Sequence, residues 1–281
     1  MKRKTKEALP VLAVCYDFDR TLSPDDMQAQ GYIQSVGLDV ANFWKRSNGL
    51  ALENDMDSNL AYMYLMVREA EGNLILTKKS LAEFGAKVKL YPGVTDWFSR
   101  LKEYGRERGV LVEHYIISSG LKEMIEGSAI AREFEMIYAS SFYFNERGVA
   151  KWPAQAINYT GKTQFLYRIS KGVLDINDPG VNDYFPREQI RIPFRNMVYI
   201  GDSGTDIPCM KLVTVNGGHS IGVYDKKRGA RDRVEQLYRE NRIKYITQAD
   251  YRPGAELDVL LKAIVDKTAA EEVLVRASLK G

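Results

Sequence analysis

The chain has 281 residues, of which 45% are hydrophobic and 27% are charged, and its formal net charge is +3. This length suits one large domain or a domain that carries an insert. The near balance of charge indicates neither a nucleic-acid partner nor a membrane surface, and no apolar run approaches the length of a membrane-spanning helix.

The first predicted element is a buried parallel strand over residues 11–16, "VLAVCY", which ends directly before two carboxylates, Asp17 and Asp19. The segment "SPDD" that follows has the pattern of a helix start in which Ser23 is the cap and proline occupies the first turn. We therefore predict that a helix begins at about residue 23.

Helical spacing continues from there to about residue 89. Four stretches carry it, separated by Gly, Asn or Asp: residues 27–37, 40–54, 58–72 and 78–88. No strong strand pattern interrupts them. Because this helical block lies between two α/β stretches, we predict that residues 23–89 form an inserted α-helical cap, and that residues 1–22 and 90–281 form the core domain.

Strands and helices alternate through the rest of the chain. The predicted strands cover residues 110–120, 135–140, 197–201, 219–224 and 245–248, with a hairpin over 142–152. Helical patterns separate them, for example over 95–108 and 161–172. This alternation predicts a doubly wound parallel sheet in an α/β fold, in which ligands bind beyond the carboxyl ends of the strands.

Polar residues follow three of these predicted strands. They form three pairs along the chain: Asp17 and Asp19, Ser118 and Ser119, and Asp202 and Asp206. Since the carboxyl ends of neighbouring parallel strands meet at one edge of the sheet, we expect up to four carboxylates in a small volume. Two like charges at ~4 Å repel by roughly 4 kcal/mol at an effective dielectric constant of ~20, so the cluster needs protons or a cation.

Oxygen ligands of this kind indicate Mg²⁺. Zinc is not expected, because the chain has no CxxC pair and its two histidines, His114 and His219, lie on separate elements. A carboxylate can attack phosphorus, a second acid can protonate the leaving oxygen, and a hydroxyl and a lysine can hold the phosphate. Lys162, which follows Gly161 at a predicted helix start, is the candidate lysine.

The order of these motifs resembles that of the haloacid dehalogenase superfamily. The matching segments are "DFDRT" (17–21), "IISS" (116–119), Lys162 and "GDSGTD" (201–206), and the resemblance runs over about residues 11 to 224. The first and fourth motifs are highly specific together, whereas the second and third are weak alone. The helical insert between the first two motifs resembles the cap of the phosphoserine-phosphatase-like branch.

The resemblance implies roles for the four acids. Asp17 would be the nucleophile and an Mg²⁺ ligand, and Asp19 the general acid and base, which also offers its backbone carbonyl to the metal. Asp202 would ligate Mg²⁺ directly. Asp206 would orient a metal-bound water or its neighbours.

The resemblance also implies a phosphate site. Ser118 would bind the phosphoryl group, and Lys162 would hold the phosphate and the nucleophile together. The backbone N–H groups of Phe18, Asp19 and Ser119 would cradle the phosphate. Ser119 is an alternative to Ser118, which could instead cap the following helix.

One feature departs from the family pattern. The chain carries an extra stretch, residues 175–194, between Lys162 and the fourth motif. This spacing leaves Lys151 and Lys171 as rivals for the phosphate-binding lysine.

Ordinary structural explanations exist for several of these residues. Asp202 and Asp206 alone could form a turn with a helix cap, but the other motifs in the expected order argue against this. In the cap, "YMYLMV" (62–67) has the composition of a packed core. We also interpret four cap residues that could face a substrate as packed or exposed helix positions: Tyr32, Trp44, Lys45 and Arg46.

The sequence thus predicts an Mg²⁺-dependent phosphomonoester hydrolase that acts on a small phosphorylated metabolite through an aspartyl-phosphate. A phosphotransferase or mutase, and a non-catalytic phosphometabolite-binding protein, are the alternatives. The expected partner is a small-molecule phosphate ester, without nucleic acid or membrane, for a monomer or homodimer. Cys15 and Cys209 do not form a disulfide framework, so a cytoplasmic location is expected.

Overall fold

The computed structural model describes residues 3–202, 204–226 and 231–278. Within these residues the β-strands form one sheet. In chain order they are β1 (Val11–Tyr16), β2 (Leu111–Leu121), β3 (Met136–Phe144), β4 (Ala150–Gln155), β5 (Met197–Gly201), β6 (His219–Tyr224) and β7 (Tyr245–Gln248). Across the sheet the strands follow the order β4-β3-β2-β1-β5-β6-β7. All neighbours are parallel except β4, which pairs antiparallel with β3 at the edge.

Helices cover both faces of the sheet and fill the segment between β1 and β2. They are α1 (Tyr32–Ser35), α2 (Val40–Glu53), α3 (Ser58–Ala70), α4 (Lys78–Gly85), α5 (Val94–Glu107), α6 (Lys122–Gly127), α7 (Thr163–Lys171), α8 (Ile207–Val215), α9 (Arg231–Arg239) and α10 (Glu256–Ser278). Short 3₁₀ turns connect several of them. In the described part of the chain, none of the helices combines the length and the apolar character needed to cross a membrane.

Strand β1 shows why the sheet is buried on both faces. Its side chains alternate, so that Leu12, Val14 and Tyr16 join one buried cluster while Val11 and Cys15 join the other. The first cluster also holds side chains of α3, α5 and α10, and the second holds those of α7 and α8. A continuous apolar strand between two helical layers is typical of a doubly wound sheet, and that prediction is confirmed.

The segment between β1 and α5 is helical, as the sequence pattern predicts. Helices α1 to α4 lie in it, and within its described residues the β-type pairing is limited to isolated bridges such as that of Thr77 with Val149. Side chains of this segment, including Phe43 and Met66, belong to the same buried cluster as one face of the sheet. The division into a core (1–22 and 90–281) and a cap (23–89) stays a prediction.

The predicted helix start at Ser23 is wrong. The first helical turn is a 3₁₀ turn at Met27–Gln30, and the Ser23 hydroxyl donates to the carbonyl of Asp25 instead of capping a helix. The reason lies in Asp19, whose Oδ1 accepts the Met27 N–H at 2.8 Å. A carboxylate from the preceding loop therefore satisfies a free N–H of the turn, which is the task the pattern assigned to Ser23.

The extra stretch, residues 175–194, folds back onto α7. The buried guanidinium of Arg168 donates to the carbonyls of Asp175, Ile176 and Asp178 at 2.6 to 3.1 Å. These bonds satisfy backbone groups that no sheet or helix would otherwise pair. The stretch is thus accommodated beside α7 and leaves Lys162 at the helix start.

Candidate active site

The candidate site lies at the carboxyl ends of β1, β2 and β5, which are neighbours in the sheet. The Asp17 N–H donates to the Ile200 carbonyl at 2.9 Å, so the end of β1 is fixed to the end of β5. Asp202 follows β5 in the same way that Asp17 follows β1. The topology therefore brings together the first and fourth sequence motifs, which are almost 200 residues apart in the chain.

A buried lysine connects two of the acids. Lys162 is fully buried, and its Nζ lies 3.2 Å from Asp17 Oδ1 and 2.7 Å from Asp206 Oδ1. Asp206 Oδ1 also accepts the hydroxyl of Tyr199 at 2.9 Å. A Cβ at Gly201 would stand 2.6 Å from Asp206 Oδ2, so glycine is needed for this carboxylate to lie against the strand end. Asp206 is therefore held from three sides.

Three carboxylates could hold a metal ion. Asp17, Asp202 and Asp206 each offer an oxygen, and these oxygens lie within 4.8 Å of one another. An all-oxygen donor set of this size suits Mg²⁺, which accepts carboxylates and retains several waters. The residues present therefore fit that ion. These three acids and Asp19 are the four carboxylates that the sequence predicts at this edge of the sheet.

Burial and mutual repulsion raise the pKa values of these acids. Burial, then the neighbouring Asp206, raises the pKa of Asp17 to about 6, although Lys162 and the Phe18 N–H oppose the shift. Burial and then Asp206 and Asp17 raise the pKa of Asp202 well above its usual range. Burial opposes the charge of Lys162 as well, but Asp17 and Asp206 outweigh it and the pKa of Lys162 is raised. Such a cluster favours a bound cation.

Asp19 stands beside the acidic cluster and is anchored by the chain that follows. Burial, followed by the charges of Asp26 and Asp17, raises the pKa of Asp19 well above the usual range, although the bond from the Met27 N–H opposes the shift. A Cβ at Gly120 would lie 3.0 Å from Asp19 Oδ2 and 2.3 Å from the Met27 Cε, so a larger residue here would displace the Met27 side chain. Asp19 therefore has the high proton affinity that a general acid needs.

The two serines near the carboxyl end of β2 occupy different environments. Ser118 is buried and its Oγ accepts the N–H of Gly120 at 3.0 Å. Ser119 Oγ is buried and has no hydrogen-bond partner among the described residues. Ser118 does not cap α6, because the N-cap position of that helix is Leu121 and no side chain caps it. Both serines line the cavity above the acids, so the choice between them as phosphate ligand stays open.

A cavity of about 490 Å³ opens above the acids. We call its acidic side the carboxylate floor, formed by Asp17, Asp19 and Asp202, with Lys162 and Asp206 beneath. We call the opposite side the helical wall. Its members come from the segment between β1 and α5: Gln28, Trp44, Asn48, Ser58, Asn59 and Tyr62.

Two residues of α3 join the helical wall to the carboxyl end of β2. The Tyr62 hydroxyl donates to the Ser119 carbonyl at 2.8 Å. Asn59 Nδ2 donates to the Ile157 carbonyl at 2.7 Å and approaches the Ser119 carbonyl at 3.4 Å. Both side chains are nearly fully buried. Because these bonds cross from the helical segment to the sheet, they fix the wall over the floor.

The structure separates the three candidate lysines. Lys162 touches Asp17, whereas Lys171 donates to the carbonyls of Val181 and Asp183 in the extra stretch. Lys151 is exposed on β4 and lines a different groove. Only Lys162 of the three therefore lies at the carboxylate floor.

The four cap residues considered in the sequence lie in different environments. Trp44 lines the cavity, Tyr32 is buried and donates to the Met66 carbonyl, and Arg46 pairs with Glu69 on the surface. Lys45 is exposed and is absent from the cavity lining among the described residues.

Sequence reasoning missed Asn59, and it assigned Tyr62 to a packed core. Asn59 stands where the helical pattern of α3 turns inward, next to Tyr62 and Met63. A polar residue on a buried helical stripe was the available signal, because such a residue needs a hydrogen-bond partner.

Comparison with protein families supports the order of motifs. A family model described as haloacid dehalogenase-like hydrolase matches residues 14–211. A curated protein of Borreliella burgdorferi, described as uncharacterized, is 27% identical over 274 residues, which cover 88% of this chain and 94% of that protein.

Solved structures share the architecture. A HAD family hydrolase from Salmonella enterica serovar Typhi superposes with a TM-score of 0.59 at 17% identity, covering 92% of this chain and 73% of that one. A phosphoserine phosphatase solved as a phospho-aspartyl intermediate analogue gives a TM-score of 0.53 at 14% identity, covering 90% of this chain and 99% of that one. At these identities the likeness is one of fold.

Proposed function

The chain belongs to the haloacid dehalogenase-like hydrolase family and has the fold of its phosphoserine-phosphatase-like branch, and from this premise we propose that it is an Mg²⁺-dependent phosphomonoester hydrolase. Its substrate is a small phosphorylated metabolite, and the reaction passes through an aspartyl-phosphate on Asp17. One observation carries the proposal: Lys162 contacts both Asp17 and Asp206 directly beneath a cavity that Asp19 and Asp202 also line.

The proposed Mg²⁺ ligands are the carboxylates of Asp17 and Asp202 and the backbone carbonyl of Asp19. Asp206, whose Oδ1 accepts hydrogen bonds from Lys162 and Tyr199, orients these ligands. When bound, Mg²⁺ supplies positive charge that offsets the repulsion between the carboxylates and an incoming phosphate.

In the first half of the reaction, a carboxylate oxygen of Asp17 attacks phosphorus. The ester P–O bond breaks, its electron pair stays on the leaving oxygen, and that oxygen takes a proton from Asp19. Lys162 and Ser118 or Ser119, with the N–H groups of the Phe18 loop, hold the phosphate oxygens as negative charge develops. The direction of the pKa shift of Asp19, upward, supports its role as a proton donor.

In the second half, Asp19 accepts a proton from water, and the water oxygen attacks the phosphorus of the aspartyl-phosphate. The acyl–phosphate P–O bond breaks, its electron pair returns to Asp17, and inorganic phosphate leaves. Asp17 is again a carboxylate and Asp19 is again protonated, so the cycle closes. The bonds of Tyr62 and Asn59 across the cavity support the exclusion of bulk water during these steps.

The test is phosphate release from a panel of phosphorylated metabolites, with and without Mg²⁺, with Asp17→Asn as the blank. We expect Mg²⁺-dependent release by the wild type and none by the variant. Added acceptor alcohols separate hydrolysis from phosphoryl transfer, since a transferase forms a new ester in place of free phosphate. Equal, slow turnover by wild type and Asp17→Asn across the panel would contradict the proposal and favour a binding protein.

A further inference from the structure

The helical wall carries no charge. Its six side chains are the indole of Trp44, the phenol of Tyr62, the hydroxyl of Ser58, and the amides of Gln28, Asn48 and Asn59. This wall faces the floor across the cavity, so it is the surface that the leaving group of a bound phosphate ester would meet. The cavity, at about 490 Å³, lies within the range of sites for small molecules.

Positive charge for a second anionic group is lacking. Among the described residues that line the cavity, Arg20 alone is a cation, and its Nη2 donates to Asp26 Oδ2 at 2.8 Å. Asp202 also attracts the Arg20 guanidinium. A leaving group with its own carboxylate would therefore enter a site with no unpaired cation to receive it, and burying an unpaired charge is costly.

A positively charged leaving group would lack a free carboxylate. Among the described residues that line the cavity, Asp26 is the acid outside the carboxylate floor, and it already pairs with Arg20. The acids of the floor are engaged in the proposed chemistry. An ammonium group would thus depend on the cation–π attraction of Trp44 and Tyr62 alone, which is weaker than a paired carboxylate in a site open to water.

Trp44 presents ring carbons to the cavity. Its side chain is partly accessible, but its Nε1 atom is inaccessible and has no hydrogen-bond partner among the described residues. The accessible part of the indole is therefore hydrocarbon. The ring lies edge-on to Tyr62, with centroids 6.0 Å apart, which fixes its orientation.

We propose that the leaving group of the substrate is uncharged and bears several hydroxyls, stacks its C–H face on Trp44, and is hydrogen-bonded by Gln28, Asn48 and Ser58. This inference rests on the proposed phosphatase function. The chemistry is that of the sugar or polyol part of a phosphate ester, and a nucleoside monophosphate offers the same hydroxyls. Phosphoserine, which carries both a carboxylate and an ammonium group, is a poor substrate.

The experiment measures kcat/KM with Mg²⁺ for three groups of esters. The first contains glucose 6-phosphate, sorbitol 6-phosphate and uridine 5′-monophosphate, which distinguish sugar, polyol and nucleoside sources. The second contains phosphoserine and 3-phosphoglycerate, and the third phosphocholine. Acetyl phosphate serves as a small activated ester. We expect kcat/KM for the best member of the first group to exceed that for every ester of the second and third groups by roughly tenfold or more. A preference for the second or third group overturns the inference.

Variants locate the effect. Trp44→Ala should lower kcat/KM for the preferred ester by roughly tenfold, and more than for acetyl phosphate, whereas Trp44→Phe should retain most of it because the ring is kept. Trp152→Ala, at an aromatic side chain that is 69% exposed on β4, is the matched control and should change nothing. Equal losses for Trp44→Ala and Trp152→Ala contradict the inference.

A charge added to the wall gives an independent test in a variant that should fold. Asn48 is exposed on α2, and Asn48→Lys should raise kcat/KM for 3-phosphoglycerate by roughly threefold while lowering that for the preferred ester. If the ratio of kcat/KM for 3-phosphoglycerate to kcat/KM for the preferred ester is unchanged in Asn48→Lys, the wall is not the surface that meets the leaving group.

Failure of the proposed phosphatase function can be distinguished from failure of the inference about the leaving group. If the wild type hydrolyses no ester, including acetyl phosphate, the phosphatase proposal fails. Calorimetric binding of glucose 6-phosphate and phosphoserine to the wild type and to Asp17→Asn then decides the inference separately. Tighter binding of glucose 6-phosphate supports it, whereas equal or reversed affinities overturn it.

Discussion

The floor and the wall of the cavity are built from different parts of the chain and on different principles. The carboxylate floor is acidic, and its members lie at strand ends, where contacts such as that of Lys162 with Asp17 at 3.2 Å hold them. The helical wall is uncharged and stands on α2, α3 and the preceding 3₁₀ turn. Under the proposed function, the floor performs the reaction and the wall selects the leaving group.

The largest expected effect comes from the floor. Asp17→Asn removes the proposed nucleophile, and we expect phosphate release to fall by roughly a thousandfold or more. Binding of inorganic phosphate should survive or tighten, because one negative charge has gone. The matched control is Asp55→Asn, at an exposed aspartate with φ 48°, a backbone conformation that asparagine also adopts. Comparable losses of phosphate release in Asp17→Asn and Asp55→Asn would contradict the proposed role of Asp17.

The next effect concerns stability. Lys162→Met leaves Asp17 and Asp206 as buried acids without their cation, and we expect a loss of about 3–5 kcal/mol in the free energy of unfolding. Urea denaturation measures this loss. The double variant Lys162→Met/Asp206→Asn should recover part of it.

The rival lysine provides the control for that measurement. Lys151 is exposed on β4, so Lys151→Met should change the free energy of unfolding by no more than about 0.5 kcal/mol. If Lys151→Met costs as much as Lys162→Met, burial between the acids is not what makes Lys162 important.

Mg²⁺ should stabilise the floor in a pH-dependent way. The pKa of Asp17 is raised to about 6, so the folded, metal-free protein holds this proton more tightly than the unfolded chain. Its contribution is stabilising at low pH and is lost as pH rises through about 6, where Asp17 becomes a charged ligand. Mg²⁺ near a hundredfold excess over its Kd should therefore add about 2–3 kcal/mol at pH 8 and much less at pH 5.

Thermal unfolding with and without Mg²⁺ at both pH values measures this effect. Asp17→Asn should lose most of the difference between pH 5 and pH 8. An equal Mg²⁺ effect at both pH values in the wild type would show that the ion binds elsewhere.

The smallest effect concerns the connection between wall and floor. Tyr62→Phe removes the hydroxyl that donates to the Ser119 carbonyl at 2.8 Å, and we expect a cost of about 1 kcal/mol, seen as a lower kcat/KM. Tyr64→Phe on the same helix is the control, since Tyr64 is 44% exposed. Equal kinetics for the two variants would mean that the bond does not position the carboxyl end of β2.

The contrast between the floor and the wall also explains which site residues can be predicted from the sequence. The floor could be predicted because each acid follows an apolar run, and parallel strands bring such ends to one edge. That rule alone predicts the positions of Asp17 and Asp202. It does not predict Lys162, which reaches the floor from a helix start, and the spacing of the motifs also allowed Lys151 and Lys171.

The wall could not be predicted in the same way. Which face of α2 or α3 meets the cavity depends on packing against the sheet, and a helical pattern shows only that one face is buried. Trp44 therefore reads as a packed residue although it lines the cavity, and Asn59 gives no local sign of its contact with the Ile157 carbonyl, 98 positions away. The misplaced helix start has the same origin, since the Asp19–Met27 bond is a tertiary contact.

The most direct test of the account is a crystal structure of the protein with Mg²⁺ and beryllium fluoride, which mimics a phosphorylated aspartate. The account predicts beryllium fluoride bonded to a carboxylate oxygen of Asp17, with Lys162 beside it and Mg²⁺ held between Asp17 and Asp202. Beryllium fluoride on any other residue, or Mg²⁺ bound away from these acids, would contradict it.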